Sequence, residues 1–177
     1  MRIAIFSDVH GNLEALQAVM RYCDTCQVGR VVCLGDLVGY GPDPSRWIKA
    51  IRDVAELVLI GNHDLAVVSP SESRNFNPVA KAAIRWTSDI LQEVHLEYLR
   101  DLPLVVDEDD AVYVHASPKG PETWPYLYSP EEGRRDLAYT DARVCFVGHS
   151  HHAFVCNDER KKFSAKAKSP SQGPPGI

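Results

Sequence analysis

Three of the seven histidines lie within four residues of one another, at His149, His151 and His152. They follow the apolar run 144–147, which predicts a buried strand of a parallel sheet, so the imidazoles are expected where this strand enters its loop. His149 and His151 are two positions apart, which places both rings on one side of an extended backbone, as a pair of metal ligands requires. The alternative is a polar loop that contains histidines by chance. The cluster alone leaves both interpretations open.

Ligand-type side chains also follow four other predicted strands. These side chains are Asp8 with His10, Asp36, Asn62 with His63, and His115. The carboxyl ends of parallel strands meet along one edge of a sheet, so we expect the residues to form a single site. Oxygen and imidazole ligands without a thiolate suit Mn, Fe, Zn, Co or Ni. These residues and the pair His149 and His151 offer more candidate ligands than one ion needs. They suffice for two ions, with a carboxylate such as that of Asp36 shared between the two.

The elements that must position these side chains alternate along the chain. Apolar runs at 3–6, 31–34 and 57–60 predict buried strands, and helical spacing of apolar residues follows the first two. Two further runs, 104–106 and 111–114, flank an acidic turn and predict a hairpin.

A helix is predicted between the third strand and the hairpin. Asn77 and Pro78 are suited to its cap and its first turn. Its apolar stripe is predicted to comprise Val79, Ala82, Ala83, Trp86 and Ile90.

Composition restricts the class of protein. A chain of 177 residues with 45% apolar and 24% charged residues suits one domain with its own core. The net charge of −5 argues against broad binding to nucleic acid or to acidic membranes. Five cysteines without a signal peptide indicate reduced thiols and a cytoplasmic setting, and no membrane span is expected.

The ligand-type residues lie in blocks that resemble, in order and spacing, the five signature blocks of the calcineurin-like metallophosphoesterases. The blocks are Asp8-x-His10, Gly35-Asp36, Gly61-Asn62-His63-Asp64, His115 and Gly148-His149-Ser150-His151. The resemblance covers residues 1–156, and the stretches 7–12, 35–44 and 76–80 are similar to the small bacterial and archaeal phosphodiesterase branch. It implies an α/β fold of two packed mixed β-sheets flanked by helices. It also implies a dinuclear-metal-dependent phosphoesterase that hydrolyses phosphodiesters, and monoesters as a further class.

The resemblance also implies a role for each residue. One metal would be held by Asp8, His10, Asp36 and His151, and the other by Asp36, Asn62, His115 and His149. Manganese is the preferred ion, and a hydroxide that bridges the two ions would attack the phosphorus. His63 would not ligate but would face the phosphate, stabilise developing charge and protonate the leaving oxygen.

Other residues near these blocks have two interpretations each. Asn12 is suited either to a phosphate contact or to a helix cap. Tyr40, Trp124 and Tyr126 could line a pocket for a base or an aryl leaving group, or could simply pack. His152 is expected outside the ligand set, at the substrate edge or exposed.

Two departures from the family pattern affect these expectations. In the protein phosphatases of the superfamily, an acid three residues beyond the Gly-Asp block orients the catalytic histidine. Here that position is Gly39, so either Asp64 substitutes for the acid or the histidine is less tightly oriented. This departure weakens the alternative of a phosphoprotein phosphatase.

The second departure lies after the last block. Relatives usually continue through further strands of the second sheet, whereas residues 157–177 are charged and then rich in Pro, Gly and Ser, and predict a disordered tail. The second sheet is therefore expected to be incomplete, with an exposed edge that could pair with another subunit. A non-catalytic interaction scaffold is the remaining alternative. Such scaffolds tend to lose ligands, and here every ligand position is filled, which favours an enzyme acting on a small phosphoester.

Overall fold

The computed structural model describes residues 1–108 and 110–157, in which six strands form two three-stranded sheets. The first sheet contains β1 (Ile3–Phe6), β2 (Arg30–Cys33) and β3 (Leu57–Val58), in that order and all parallel. The second contains β4 (Val105–Glu108), β5 (Ala111–Val114) and β6 (Val144–Phe146); β4 and β5 pair antiparallel, and β5 and β6 pair parallel. The predicted α/β fold with two sheets and flanking helices is confirmed, and so is the hairpin.

Six α-helices connect or cover the described strands. They are α1 (Leu13–Thr25), α2 (Pro44–Val54), α3 (Asn62–Val68), α4 (Pro78–Ile90), α5 (Glu93–Arg100) and α6 (Pro130–Leu137). Short 3-10 helices lie at Pro70–Asn75 and Pro121–Thr123. The Asn77 side chain accepts from the Ala80 N–H at 2.9 Å, as the predicted cap requires. None of the described helices is both long and apolar enough to cross a membrane.

The core has two main layers. Between the sheets, Val32, Leu34 and Leu59 of the first sheet region pack with Tyr113 of the second. On the other face of the first sheet, the helices contribute a larger cluster that includes the fully buried Trp47, Ile48, Ile51 and Leu99. Burial of each such side chain stabilises the fold by roughly 1.5–3 kcal/mol. The packing fixes the ends of the parallel strands relative to one another.

The third strand is shorter than predicted. β3 ends at Val58, but the Leu59 N–H still donates to the Cys33 carbonyl at 2.9 Å, which continues the ladder by one step. The Ile60 N–H donates instead to the Pro103 carbonyl at 3.0 Å. The chain thus leaves the first sheet at Ile60 and is tied there to the segment that leads into the second sheet.

The predicted apolar stripe of α4 is wrong. Val79, Trp86 and Ile90 are 69%, 43% and 43% exposed, whereas the helix buries Ala80, Ile84 and Thr87. The buried face is offset from the predicted one by a single residue, which is a rotation of about 100°. The rotation turns Ala80, Ile84 and Thr87 toward the body of the protein and leaves Val79, Trp86 and Ile90 on the surface.

The predicted division into a domain at 1–156 and a tail at 157–177 stays a prediction. Only the first residue of that tail lies within the described part of the chain.

Candidate metal centre

The loops at the carboxyl ends of the two sheets are joined by backbone contacts. The Asp8 N–H donates to the Gly35 carbonyl at 3.1 Å, which places the loops after β1 and β2 side by side. The His149 N–H donates to the Asp8 carboxylate at 2.9 Å and joins the loop after β6 to them. A Cβ atom on Gly148 would lie 2.2 Å from the Ser7 hydroxyl oxygen, so only glycine allows this approach. Residues from both sheets thereby reach one site.

Left-handed backbone turns most of the predicted ligands toward that site. Five of them have positive φ: Asp8 (58°), His10 (52°), Asp36 (53°), His149 (63°) and His151 (52°). Such values are uncommon outside glycine because the Cβ atom crowds the following carbonyl oxygen. Their concentration at one site indicates a strained arrangement that the surrounding packing holds in place.

Asp8, His10 and His151 form the first group of candidate ligands, with their ligand atoms within 4.8 Å of one another. The His10 Nδ1 donates to the Val38 carbonyl at 2.9 Å, which leaves Nε2 as the free ligand atom. The His151 Nε2 lies 3.3 Å from the Asp8 Oδ1. Two imidazoles and a carboxylate therefore converge on one point.

Asp36, His115 and His149 form the second group, again within 4.8 Å. The His115 Nδ1 donates to the Leu34 carbonyl at 2.9 Å, so its Nε2 faces the site, 3.3 Å from the Asn62 side-chain oxygen. The His149 Nε2 donates to the Trp124 carbonyl at 3.1 Å, which leaves Nδ1 toward the group. Asn62 joins this group through its contact with His115.

Asp36 lies between the two groups. Its Oδ2 is 3.7 Å from the His10 Nε2 and 3.4 Å from the His115 Nε2. The buried Asp8 Oδ1 accepts no hydrogen bond from any residue that the structure describes. A buried carboxylate oxygen without a donor, facing imidazole nitrogens held in one tautomer, fits a pair of divalent cations.

Electrostatics at the centre favour a cation. Burial raises the pKa of Asp36, but the charges of the neighbouring histidines, His115 foremost, outweigh it and hold that pKa below its usual range. Burial lowers the pKa of His115, but the Asp36 carboxylate outweighs it and raises the pKa to about 9. A divalent cation at this point must displace the proton from His115, so we expect metal affinity to increase with pH.

The His63 imidazole lies against the two groups without belonging to either. Its Nδ1 is buried and makes no hydrogen bond to the described residues. Three rings surround it at 4.8–4.9 Å between centroids, those of His10, Tyr40 and Phe76. A Cβ atom on Gly39 would lie 2.6 Å from this Nδ1, so the glycine leaves room for the imidazole. Burial, as the main cause, lowers the pKa of His63 to about 4.

Asp64 does not take the place of an orienting acid for His63. Its carboxylate accepts from the backbone N–H groups of Leu37, Val38 and Gly61 at 3.2, 3.0 and 3.0 Å. Burial and the nearby Asp36 raise its pKa to about 7 against the lowering effect of these donors. The expectation that Asp64 substitutes for the missing acid is therefore wrong: its oxygens tie the start of α3 to the loop after β2.

The other predicted residues take different places. The Asn12 side chain caps α1 by accepting from the Ala15 N–H at 2.9 Å, and its phosphate contact stays a prediction. The Trp124 ring packs edge-on against His115 at 5.8 Å. The His152 ring lies edge-on to Tyr128 at 5.5 Å, apart from both ligand groups.

A cleft of ≈ 180 Å³ opens over the centre. It is lined by His10, Asp36, Tyr40, Asn62, His63, Tyr126, His149, Ser150 and His151. A larger cavity of ≈ 370 Å³ lies elsewhere, beside α4, and contains none of the predicted ligands. The smaller cleft is the candidate substrate site because it joins a concave surface to converging ligands.

Sequence reasoning missed two side chains and one backbone anchor near this cleft. Phe76 packs on His63, and Tyr128 stacks on Tyr126. The Ser150 hydroxyl accepts from the Leu127 N–H at 2.8 Å and fixes the loop that carries both tyrosines. The alternation Tyr126-x-Tyr128 was a usable signal, because residues two apart in extended backbone share a side.

Comparisons with known proteins agree with this geometry. Residues 1–165 match the calcineurin-like phosphoesterase superfamily domain. The chain is 39% identical over 161 residues to the uncharacterized protein MJ0912 of Methanocaldococcus jannaschii, and 30% identical over 121 residues to a symmetrical bis(5′-nucleosyl)-tetraphosphatase of Vibrio campbellii. The crystal structure of a metallophosphoesterase from Sphaerobacter thermophilus is similar at a TM-score of 0.74 with 43% identity.

The chain spans only part of each relative. The matches cover 89%, 66% and 85% of this chain, but 65% of MJ0912, 44% of the tetraphosphatase and 61% of the Sphaerobacter protein. The family match over residues 1–165 includes the five ligand blocks. The matches to the individual relatives do not extend over those relatives' full length.

Proposed function

Because the chain belongs to the calcineurin-like phosphoesterase superfamily, we propose that it is a hydrolase of phosphodiesters whose site holds two divalent cations. The observation that carries the proposal is the position of the Asp36 Oδ2, within 3.7 Å of the His10 Nε2 and 3.4 Å of the His115 Nε2. One carboxylate oxygen of Asp36 thus lies near ligand atoms of both groups, so Asp36 is the residue that both cations would share.

In this proposal the ligands divide as the two groups do. One cation would be held by Asp8, His10, Asp36 and His151, and the other would be held by Asp36, Asn62, His115 and His149. The carbonyl partners of the His10 and His115 Nδ1 atoms keep each Nε2 available as a ligand. When bound, the two cations supply Lewis-acid chemistry, lowering the pKa of a water and neutralising charge on the phosphate. Among the ions that suit oxygen and imidazole ligands, which are Mn, Fe, Zn, Co and Ni, we propose manganese, as the family resemblance implies.

His63 is the proposed acid for the leaving oxygen. Its backbone N–H donates to the Asp36 Oδ1 at 2.9 Å, so the imidazole is placed beside the centre without ligating. With its pKa near 4, the ring is neutral at neutral pH until an anion lies beside it. A bound phosphate provides that charge, so the proton reaches His63 together with the substrate and leaves on the departing oxygen.

Diester hydrolysis is preferred to phosphoprotein phosphatase action. His63 has no carboxylate on its Nδ1 among the described residues, and Asp64 is bonded elsewhere. A non-catalytic scaffold is disfavoured because all seven proposed ligands are present and converge.

The test is hydrolysis of bis(4-nitrophenyl) phosphate by the protein reconstituted with Mn²⁺. We expect 4-nitrophenolate release that EDTA abolishes, with a lower kcat/KM for the monoester 4-nitrophenyl phosphate. Zn²⁺, Co²⁺, Ni²⁺ and Fe²⁺ are tested in parallel. Absence of turnover with every divalent metal would contradict the enzymatic function, and a preference for the monoester would contradict the diesterase assignment.

A further inference from the structure

Two tyrosine rings at the rim of the cleft are exposed in an unusual arrangement. Tyr126 and Tyr128 are 52% and 56% exposed, and their planes are parallel to within 2° with centroids 5.4 Å apart. Tyr126 in turn stacks on His149 at 4.1 Å and 25°. A row of stacked rings therefore runs from a proposed metal ligand outward over the edge of the cleft.

The loop that carries these rings is fixed at several points. Leu127 lies between the two tyrosines in the sequence. Its N–H donates to the Ser150 hydroxyl, and its side chain is buried. The N–H groups of Tyr128 and Ser129 donate to the Glu132 carboxylate at 2.7 and 3.2 Å. Because the backbone of the two tyrosines is already held, a ligand that stacks on them loses little free energy to loop ordering.

We propose that Tyr126 and Tyr128 form a stacking subsite for the nucleobase of a nucleoside esterified to the scissile phosphate. The inference rests on the proposed diesterase function, because it names the substrate class of the same site. Flat, uncharged, half-exposed rings can stack on a planar aromatic group. Nucleobases stack on such rings with little dependence on sequence because every base has a π-face.

The position of the pair decides which part of the substrate it contacts. Tyr126 lines the cleft, whereas Tyr128 lies one step farther out, with its ring plane at 84° to that of His152. A phosphate at the centre would thus place its nucleoside along the row of rings. The half-exposed rings next to His149 are covered when the base binds, which removes apolar surface from water.

Two substrates with the same leaving group test the subsite. Methyl 4-nitrophenyl phosphate and thymidine 5′-(4-nitrophenyl phosphate) both release 4-nitrophenolate when water adds to phosphorus and the P–O(aryl) bond breaks. They differ only in the group that stays on phosphorus. We expect a KM about tenfold lower for the thymidine ester, from stacking of one base. Tyr128→Ala should remove most of this preference, and Tyr128→Phe should keep it because the ring remains.

Tyr22, which is 70% exposed on α1, provides the matched control: Tyr22→Ala should keep the wild-type KM ratio. Equal KM values for the two esters in the wild type, or an unchanged ratio in Tyr128→Ala, would overturn the subsite while leaving the diesterase function intact. Failure to hydrolyse either ester would count against the function itself.

A binding measurement tests the proposed stacking subsite independently of hydrolysis. In saturation-transfer NMR with thymidine 5′-phosphate, the base H6 proton should receive more saturation than the sugar protons, and Tyr128→Ala should abolish the difference. Equal saturation of base and sugar in the wild type would overturn the proposal whatever the protein hydrolyses.

Discussion

The His63 imidazole packs against aromatic rings, and no carboxylate among the described residues bonds to its Nδ1. The Phe76 ring contacts it at 4.9 Å, and Tyr40, itself at a positive φ of 66°, contacts it at the same distance. Neither ring forms a hydrogen bond with the imidazole, so they act by limiting its rotation. Orientation by packing alone makes the proposed acid depend on Phe76, an apolar residue that lies outside the five blocks of proposed ligands.

Replacement of Phe76 should therefore impair proton donation selectively. We expect Phe76→Ala to reduce kcat on a diester with a poor alkyl leaving group by ~10–100-fold, and to change kcat on an aryl ester far less, because 4-nitrophenolate leaves without a proton. Phe76→Tyr keeps the ring and is the control. The measurement is kcat for both esters at saturating Mn²⁺.

A general loss of packing would reduce both rates equally, and that result would contradict the positioning role. The double variant Phe76→Ala with His63→Ala sharpens the test, since it should be no slower on the alkyl ester than His63→Ala alone.

The sequence indicated which residues are the candidate ligands, but it did not indicate how their side chains are oriented. The candidate ligands were predictable because His, Asp and Asn recur at strand ends, and the structure brings them together. The partners that orient them were not, since the carbonyl of Val38 or Leu34 carries no side-chain signature. Asp64 shows the same limit, because its bonds to backbone N–H groups became visible only in three dimensions.

The loops that follow the strands combine ligand side chains with left-handed backbone. His151 is one case, because its φ is 52° and its side chain is largely exposed. The effect of its backbone strain on stability can therefore be measured with little contribution from side-chain burial. Each non-glycine residue in this region costs about 1–2 kcal/mol relative to its relaxed conformation. We infer that these loops trade stability for convergent ligands.

Paired substitutions at His151 and His152 test this trade. His151→Gly should be more stable than His151→Ala by about 1 kcal/mol, because glycine adopts positive φ without a Cβ clash. At His152, which lies outside the left-handed region, glycine should be equal to or less stable than alanine. The measurement is urea unfolding of the four variants in EDTA. Equal stability of the two His151 variants would contradict stored strain at this loop.

Strands and helices were predictable to different degrees. The apolar runs in the sequence identified β1, β2 and the hairpin, because each of these strands buries one face and burial requires apolar side chains there. The α4 stripe failed because Val79 and Ala80 begin two helical stripes one residue apart, and packing selected the stripe that contains Ala80, Ile84 and Thr87. Tertiary contacts decide which face of the helix is buried, and the spacing of apolar residues in the sequence does not indicate that choice.

The two sheets present free edges in the described part of the molecule. β1 ends the order of the first sheet and β6 that of the second, and among the described residues neither has a strand on its outer side. Ile3 and Val144 on these strands are 42% and 44% exposed. We propose, as the sequence led us to expect, that an edge pairs with a second copy of the chain.

Self-association should be sensitive to charge at that edge. We expect a concentration-dependent dimer in sedimentation equilibrium, shifted toward monomer by Val144→Lys because the charge resists burial at the β6 edge. Trp86→Lys on the exposed stripe of α4 is the matched control and should leave the dimer unchanged. A monomer at all concentrations, or a dimer that only Trp86→Lys disrupts, would contradict pairing at the edge.

The central claim is that one site formed by both sheets holds two divalent cations that share Asp36. Equilibrium dialysis against Mn²⁺, followed by elemental analysis, counts the ions for each chain. The account predicts two ions for the wild type and for His63→Ala, and fewer than two for Asp36→Asn. One ion or none in the saturated wild type, or loss of metal in His63→Ala, would contradict it.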